Sequence, residues 1–74
     1  MPSRTAPKSP LAKKLQALRR SAGLTQVELA WRSDLSIQTV AGLEQGHRTG
    51  SPRTLRKLAR ALAVPISALL ASRP

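Results

Sequence analysis

The stretch of residues 36–42 contains side chains whose types and spacing suit close contact with a nucleic acid. The amide of Gln38 has a donor and an acceptor side by side, the arrangement that pairs with an adenine edge in the major groove of DNA. The side chains of Ile37 and Ala41 can lie against thymine methyl groups, and Gly42 lets the backbone approach closely. All of them can instead be ordinary exposed helix positions, although Ile37 on an outward face is hard to explain in that way. We therefore predict that this stretch reads bases.

Catalysis needs a nucleophile with a base, a pair of carboxylates or a set of metal ligands, and the sequence is poor in all of these. It contains one His, three acidic residues and no Cys. His47 lies in a polar, basic loop, where we expect a surface residue or a neighbour of a phosphate. The glycine-rich loop of nucleotide hydrolases is missing from the sequence. The sequence therefore predicts a protein that is not an enzyme and that uses no metal and no cofactor.

The charge balance predicts a polyanionic partner. Thirteen Lys and Arg residues stand against three Asp and Glu, which gives a formal net charge of +10. Nucleic acid is the leading candidate for the partner of such a basic chain. No apolar run approaches the roughly 20 residues that cross a bilayer, and the N-terminus lacks the apolar core of a signal peptide. We expect no membrane association and a cytoplasmic protein, located at the nucleoid when it is bound to DNA.

Two short helices joined by a tight turn, together residues 25–45, must position the base-reading stretch. Thr25 can cap the first of them, because Glu28 stands three residues later and can return a hydrogen bond to the Thr25 backbone in a capping box. This helix begins at about Gln26. It ends at Asp34, since an Asp tolerates the left-handed backbone that a sharp turn often needs.

The second helix of this pair, residues 36–45, is the predicted recognition helix, and we expect Gly46 to end it because Gly takes the left-handed conformation freely. Ser36 can cap it, and Val40 and Leu43 recur at three-residue spacing on one face, which we take as the inward face. The hydroxyl groups of Ser36 and Thr39 can add hydrogen bonds to phosphates or to base edges.

The remaining helices follow from similar local signals. Ser9–Pro10 and Ser51–Pro52 each place a capping residue before a proline, which is typical of a helix N-terminus. The helix after Ser51–Pro52 has an outward row of basic side chains, which is either a solvated surface or a phosphate-binding face with Arg53 as its main contact. A last short helix opens at Pro65. The sequence thus predicts an all-α, compact domain of five helices over residues 10–72.

Residues 1–9 are small, polar and basic, and they show no hydrophobic period that would fold them onto a core. We expect a disordered, flexible N-terminal arm. Arg4 and Lys8 either contact the DNA backbone or minor groove, or belong to a leader without a role in binding.

Three motifs, in chain order, resemble one known family. They read GLTQ-x-ELA from Gly23, L-S-x-x-T-V-x-x-L-E-x-G from Leu35, and L-x-K-L-A-x-A-L from Leu55. Together they resemble the lambda-repressor-like helix-turn-helix family, also known as the Cro/repressor or XRE type. The resemblance covers about residues 11–70, and it implies a compact helical domain that binds double-stranded DNA.

The resemblance also implies roles for individual residues. Its base-reading positions correspond to Ile37, Gln38, Ala41 and Gly42. Gln26 would bind a phosphate and pack beside the recognition helix, and backbone amides from Gln45 to Arg48 would hold a phosphate. Arg19 and Glu44 would form a structural ion pair, which their places late in the first and third helices also suggest. The expected phosphate contacts are Thr25, Gln26, Ser36, Thr39, Gln45, His47, Arg48 and Arg53.

Two residues depart from the pattern of the family. Asp34 stands where members usually have Gly, and it adds a negative charge to the turn near DNA. Gly42 stands where members often have a long polar residue, so one base-reading side chain is missing. Direct readout would then rest mainly on Gln38, where a wrong base costs ~1 to 3 kcal/mol, with part of the specificity read through DNA shape.

Trp31 is the only aromatic residue, and it falls where the family normally has a polar surface residue. Val27 lies one helical turn before it on the same face. Together they predict an exposed apolar patch that contacts a protein partner, a phosphate backbone or the N-terminal arm. The alternative is that Trp31 lies half-buried against neighbouring side chains.

We therefore expect a sequence-specific, double-stranded DNA-binding transcription regulator, with helix 36–45 in the major groove, that represses by occluding a promoter. The resemblance implies two copies on a near-palindromic operator with half-sites ~34 Å apart. The last helix, with Pro65, Ile66 and Leu69, would then form the self-contact of a homodimer, unless Leu69 and Leu70 close the monomer core. Two alternatives remain: an antitoxin-like or adaptor protein that binds a protein partner through Val27 and Trp31, and a weakly specific nucleic-acid-binding protein.

Overall fold

Four α-helices and one turn of 3₁₀ helix form residues 10–70, the part of the chain that this computed structural model describes. In chain order they are α1 (Pro10–Ser21), α2 (Gln26–Ser33), α3 (Ile37–Gln45), α4 (Pro52–Leu62) and the 3₁₀ helix Ile66–Ala68. Within these residues the fold is all-α, as the sequence predicts. The predicted arm, residues 1–9, and the predicted domain end at residues 71 and 72 lie outside the described range.

The predicted fifth helix is wrong, because the segment after Pro65 forms a single 3₁₀ turn. The Ala68 amide donates to the Pro65 carbonyl and the Leu69 amide to the Ile66 carbonyl, both at 2.9 Å. These bonds span three residues, which is the 3₁₀ pattern. So short a segment cannot repay the nucleation of a regular α-helix, and its conformation is set by packing against α4.

The predicted caps begin α2, α3 and α4. The Glu28 amide donates to Thr25 Oγ1 at 3.0 Å, and the Thr25 amide donates to Glu28 Oε1 at 2.8 Å, which completes the capping box. Ser36 and Ser51 accept from the amides three residues later, at 3.0 and 3.2 Å. These bonds satisfy amides that a helix N-terminus otherwise leaves without a partner, and so they fix where each helix begins.

Left-handed residues end α2, α3 and α4. Asp34 has φ 59°, Gly46 has φ 83° and Ala63 has φ 59°. The sequence predicts the first two of these positions, since Asp and Gly tolerate this region. The sequence does not predict Ala63 at such a position, because its Cβ makes the left-handed conformation unfavourable.

The core is built around α3, which packs against both α1 and α2, while α4 packs against α2 and the 3₁₀ turn packs against α4. The buried residues of the core are Leu15, Leu29, Ala30, Val40, Leu43, Leu55, Leu58, Ala59, Leu62 and Leu69. Leu69 is fully buried, so it closes the monomer core and the predicted self-contact through Leu69 is wrong. Leu70, the next residue, is 47% exposed, so the alternative that it also closes the core is wrong.

Candidate nucleic-acid interface

α3 has two chemically distinct faces, and the structure separates them as the sequence spacing predicts. Val40, Leu43 and Glu44 on its inward face are each at most 1% exposed. On the opposite face Ile37 is 47% exposed and Gln38 is exposed as well. Ala41 and Gly42 lie on this same face and are partly exposed. The predicted base-reading residues therefore share one accessible surface, which we call the reading face (Ile37, Gln38, Ala41 and Gly42).

The hydroxyl groups at the start of α3 are not equivalent. Ser36 Oγ accepts from the Thr39 amide at 3.0 Å and donates to Thr39 Oγ1 at 2.9 Å. The Ser36 hydroxyl is therefore used as both donor and acceptor within the helix cap. Thr39 receives that bond and keeps its own hydroxyl hydrogen for an external acceptor. Of the two predicted contacts, Thr39 is the better donor to a phosphate or a base edge.

A buried polar network holds α1, α2 and α3 in a fixed relation. Arg19 donates to both carboxylate oxygens of Glu44, from Nε at 2.6 Å and from Nη2 at 3.0 Å. Gln26 Nε2 donates to the same carboxylate at 3.1 Å, and Arg19 Nη1 donates to the Leu24 carbonyl at 2.8 Å. The hydrogen bond to Glu44 raises the pKa of Arg19, against the smaller opposing effect of burial. The predicted Arg19–Glu44 pair is thus present as part of a three-helix network.

Gln26 has a divided role in this network. One hydrogen of its Nε2 group is directed to Glu44, so only the second hydrogen of that group is left for the predicted phosphate contact. Thr25, just before it, uses its hydroxyl oxygen to cap α2 and keeps its hydroxyl hydrogen. The N-terminus of α2 therefore presents these two donors beside α3, where a phosphate of the duplex backbone can be bound.

The loop after α3 has fewer free backbone amides than the resemblance implies. The Gly46 amide donates to the Leu43 carbonyl at 3.2 Å, and the His47 amide donates to the Gly42 carbonyl at 2.9 Å. Both amides close the end of α3, so the expectation that they hold a phosphate is wrong. The side chains of Gln45, His47 and Arg48 are exposed and remain the donors of this loop.

Arg48 occupies a place that sequence reasoning missed. A Cβ atom added at Gly42 would lie 2.9 Å from Arg48 Cδ and 3.0 Å from Arg48 Nε. The Arg48 side chain therefore lies across the reading face of α3, over the position that has no side chain of its own. The missing side chain at Gly42 was visible in the sequence, but the loop conformation that fills the gap was not.

The acidic side chains of residues 10–70 are all engaged in contacts within the chain. Glu44 is paired with Arg19, Glu28 is in the capping box, and Asp34 Oδ2 lies 3.6 Å from Lys57 Nζ. The backbone hydrogen bond from Thr25, followed by its side-chain hydrogen bond, lowers the pKa of Glu28. The exposed arginines of this region that have no ion-pair partner in it include Arg48, Arg53, Arg56 and Arg60. Their charges are not neutralised by any carboxylate among residues 10–70.

Trp31 and Val27 form an exposed apolar patch on the outer face of α2. Trp31 is 83% exposed and Val27 is 48% exposed. The alternative that Trp31 is half-buried against its neighbours is therefore wrong. Trp31 and Val27 line a shallow depression together with Glu28 and Arg32.

No cluster of metal-binding side chains occurs between residues 10 and 70, and every helix there is too short or too polar to cross a bilayer.

The amino-acid sequence of this chain is similar to those of known helix-turn-helix proteins. Residues 15–69 match the sequence profile of the Helix-turn-helix family. The chain is 42% identical over 65 residues to RghRB of Bacillus subtilis (strain 168), an uncharacterized HTH-type transcriptional regulator, with coverage of 86% of this chain and 47% of that protein. It is 49% identical over 47 residues to y4dJ of Sinorhizobium fredii, which has the same description, with coverage of 64% and 61%. The chain therefore spans about half to three fifths of the length of these curated relatives.

Solved structures share the fold. The restriction-modification controller protein C.AhdI from Aeromonas hydrophila superposes with a TM-score of 0.80 at 36% identity, over 82% of this chain and 92% of that one. The clp gene regulator ClgR from C. glutamicum superposes with a TM-score of 0.77 at 26% identity, over 89% and 86% of the two chains.

Proposed function

Because the chain belongs to the XRE-type helix-turn-helix family of transcription regulators, we propose that it binds a specific double-stranded DNA operator with α3 in the major groove. The observation that carries this proposal is the reading face, which presents one amide and small or apolar residues on an accessible helix surface. The cations around it lack counter-charges in the described chain, so they are available for phosphates.

The residues divide into base contacts and backbone contacts. Gln38 hydrogen bonds an adenine edge, and Ile37 and Ala41 lie against thymine methyl groups. The backbone contacts come from two sides of α3, with donors at the start of α2 and from the loop and helix that follow α3. They are Thr25, Gln26, Thr39, Gln45, His47 and Arg53, with Ser36 acting mainly through its cap. These contacts fix the register of α3 on the duplex and add affinity without sequence preference.

Regulation by this site is most simply repression. A protein that covers a promoter excludes other proteins from it by volume alone, and this needs no second contact surface. We propose two copies on a near-palindromic operator, with half-sites ~34 Å apart so that both recognition helices enter the same face of the duplex. The names of the relatives, as transcriptional regulators and a restriction-modification controller protein, support control of transcription.

Selection of bound duplexes from a random DNA pool at near-physiological salt tests the proposal. A salt titration follows on the selected duplex and on a scrambled control. We expect a palindromic consensus that is bound more tightly than the control at every salt concentration. Equal affinity for both duplexes, with the same steep loss on adding salt, would show that charge alone binds DNA and would refute the operator.

Two substitutions separate the proposed contacts. Gln38→Ala should relax the preference at one base position of each half-site, whereas Arg53→Ala should weaken binding to all duplexes and flatten the salt dependence by about one phosphate. Arg60→Ala is the matched control, because it removes the same charge from the same side of α4 about 10 Å farther along the helix. If the consensus selected by Gln38→Ala equals that of the wild type, the register of α3 is wrong.

A second candidate function is binding to a protein partner through Trp31 and Val27. The 83% exposure of the sole Trp favours it, because a large apolar side chain is seldom left this open without a contact. Trp31→Glu should keep the fold and the affinity for DNA while abolishing regulation of a reporter promoter in cells. If regulation also survives, the patch has no role in it.

A further inference from the structure

The loop after α3 adds a reading group that the helix itself lacks. We infer that Arg48 reads a guanine edge in the major groove from the space left open by Gly42. This inference rests on the proposed function, since it requires α3 to lie in that groove.

The Arg48 side chain occupies the space into which a side chain at position 42 would extend. Against an ideal Cβ at Gly42, the distances are 2.9 Å to Arg48 Cδ, 3.0 Å to Nε and 3.1 Å to Cγ. Real Cβ atoms essentially never approach another atom to within 3.0 Å, so any residue other than Gly would displace the arginine. The Arg48 side chain thus packs on the reading face at Gly42, where no other side chain is present.

The backbone of the loop determines this placement. Gly46 turns the chain back with φ 83°, and its amide donates to the Leu43 carbonyl at 3.2 Å. The His47 amide then donates to the Gly42 carbonyl at 2.9 Å. This bond holds the residue before Arg48 against the same helical turn that Gly42 belongs to. Two backbone hydrogen bonds therefore bring Arg48 next to α3, and its position does not depend on a side-chain partner.

The guanidinium group has no competing acceptor in the described chain. Glu44 is bound to Arg19 and Asp34 lies beside Lys57, and neither carboxylate pairs with Arg48. A guanidinium presents parallel donors that match the O6 and N7 acceptors of guanine, the commonest specific contact of Arg in a major groove. A group placed on α3 without a partner inside the protein is available for that edge.

Arg48 also lies at a useful distance from the other reading group. Gln38 and Gly42 are four residues apart on α3, which is slightly more than one helical turn or ~6 Å along the axis. The rise of B-DNA is ~3.4 Å per base pair, so the two groups address bases within about two pairs of each other. We expect a guanine at that spacing from the adenine that Gln38 binds.

The test compares consensus sequences selected from one random duplex pool by the wild type, Arg48→Ala, Arg48→Lys and Gly42→Ala. With Arg48→Ala the preference for guanine at one position of each half-site should fall by roughly 5- to 150-fold, the discrimination of one bidentate contact. Arg48→Lys keeps the charge and should keep the affinity for scrambled DNA, but it lacks the planar fork and should lose most of the guanine preference. Arg56→Ala, another exposed arginine, is the matched control and should leave the consensus unchanged.

Gly42→Ala is the sharpest variant, because it perturbs the readout while Arg48 is still present. Alanine is the better helix former, and the arginine is a flexible neighbour that can move, so thermal stability should not fall. The same guanine position should nevertheless weaken. The double variant Gly42→Ala/Arg48→Ala should be no worse at that position than Arg48→Ala alone, since both changes remove one contact.

Two results would overturn the inference. A uniform loss of affinity in Arg48→Ala, with an unchanged consensus, would make Arg48 a phosphate contact. An unchanged consensus in Gly42→Ala would show that base reading by Arg48 does not require its packing at Gly42. A wild-type protein that selects no consensus refutes the proposed function and base reading together, whereas a wild-type consensus that survives in Arg48→Ala refutes only the role of Arg48.

Discussion

Removal of the Glu44 carboxylate should greatly lower the free energy of unfolding of this domain, although Glu44 makes no contact with DNA in the proposed complex. Glu44→Ala deletes the acceptor of three hydrogen bonds, two from Arg19 and one from Gln26. Arg19 then remains beneath the surface with its side chain 11% exposed and with the Leu24 carbonyl as its remaining partner. The substitution therefore leaves a largely buried charge without a counter-charge.

The expected loss is large relative to the stability of so small a domain. Breaking a buried ion pair by removing one partner costs about 3–5 kcal/mol of unfolding free energy. A chain of this length has about 4–11 kcal/mol in total, at roughly 0.05–0.15 kcal/mol per residue. At ~4–8 °C for each kcal/mol, the melting temperature should fall by about 12–40 °C.

Urea unfolding followed by far-ultraviolet circular dichroism measures this loss. Gln45→Ala is the matched control, because Gln45 is the next residue of α3 and is exposed, and its substitution should change the free energy by at most about 0.5 kcal/mol. A second variant, Arg19→Met/Glu44→Leu, replaces both charges with apolar side chains and should recover much of the loss, since it leaves no unpaired charge.

A different result would refute the role given to this network. If Glu44→Ala lowered the unfolding free energy by less than about 1 kcal/mol with an unchanged m-value, Arg19 would have to be solvated in the native protein. An Arg19→Met/Glu44→Leu variant that is no more stable than Glu44→Ala would mean that side-chain packing, rather than the unpaired charge, causes the loss.

Two further predictions concern local structure. Ala63→Gly should raise the unfolding free energy by about 1 kcal/mol, because Ala63 ends α4 in the left-handed region with φ 59°. The control Ala17→Gly, within α1, should lower the unfolding free energy by a similar amount. Thermal melts in which both variants shift in the same direction would contradict this prediction. The lowered pKa of Glu28 means that the folded protein binds this proton less readily than the unfolded chain, so the stability it supplies is present above its ordinary pKa of 4.5 and is lost as pH falls through the lower folded value. The difference in urea midpoint between the wild type and Glu28→Gln should therefore shrink below pH 4.5, and a difference that does not change there would contradict the capping role.

The parts of the fold that the sequence predicts well are those set by neighbouring residues. The starts of α2, α3 and α4 follow from Thr25 with Glu28, from Ser36 and from Ser51, because a cap is a bond between residues three apart. The inward face of α3 follows from helical spacing in the same way. These signals depend on a few consecutive residues and need no knowledge of the tertiary structure.

The features that the sequence does not predict depend on contacts between distant segments or on loop backbone. The last apolar segment satisfies the pattern of a helix, but its short length and its packing against α4 give a 3₁₀ turn. The side chain of Arg48 reaches Gly42 only because the amides of Gly46 and His47 close the end of α3. For Trp31 the sequence predicts an exposed patch but leaves half-burial open, because the outcome depends on which side of α2 receives no neighbouring helix.

The small number of reading groups bears on how many copies bind. One copy offers Gln38 and, by our inference, Arg48 as bidentate readers, which together discriminate by about 2–6 kcal/mol at ~1–3 kcal/mol each. Specific binding usually exceeds non-specific binding by about 4–10 kcal/mol, and the cations of this chain make its non-specific binding strong. Two copies on one operator double the discrimination to about 4–12 kcal/mol, which spans the usual range. A reading face this sparse therefore favours a paired operator over a single half-site.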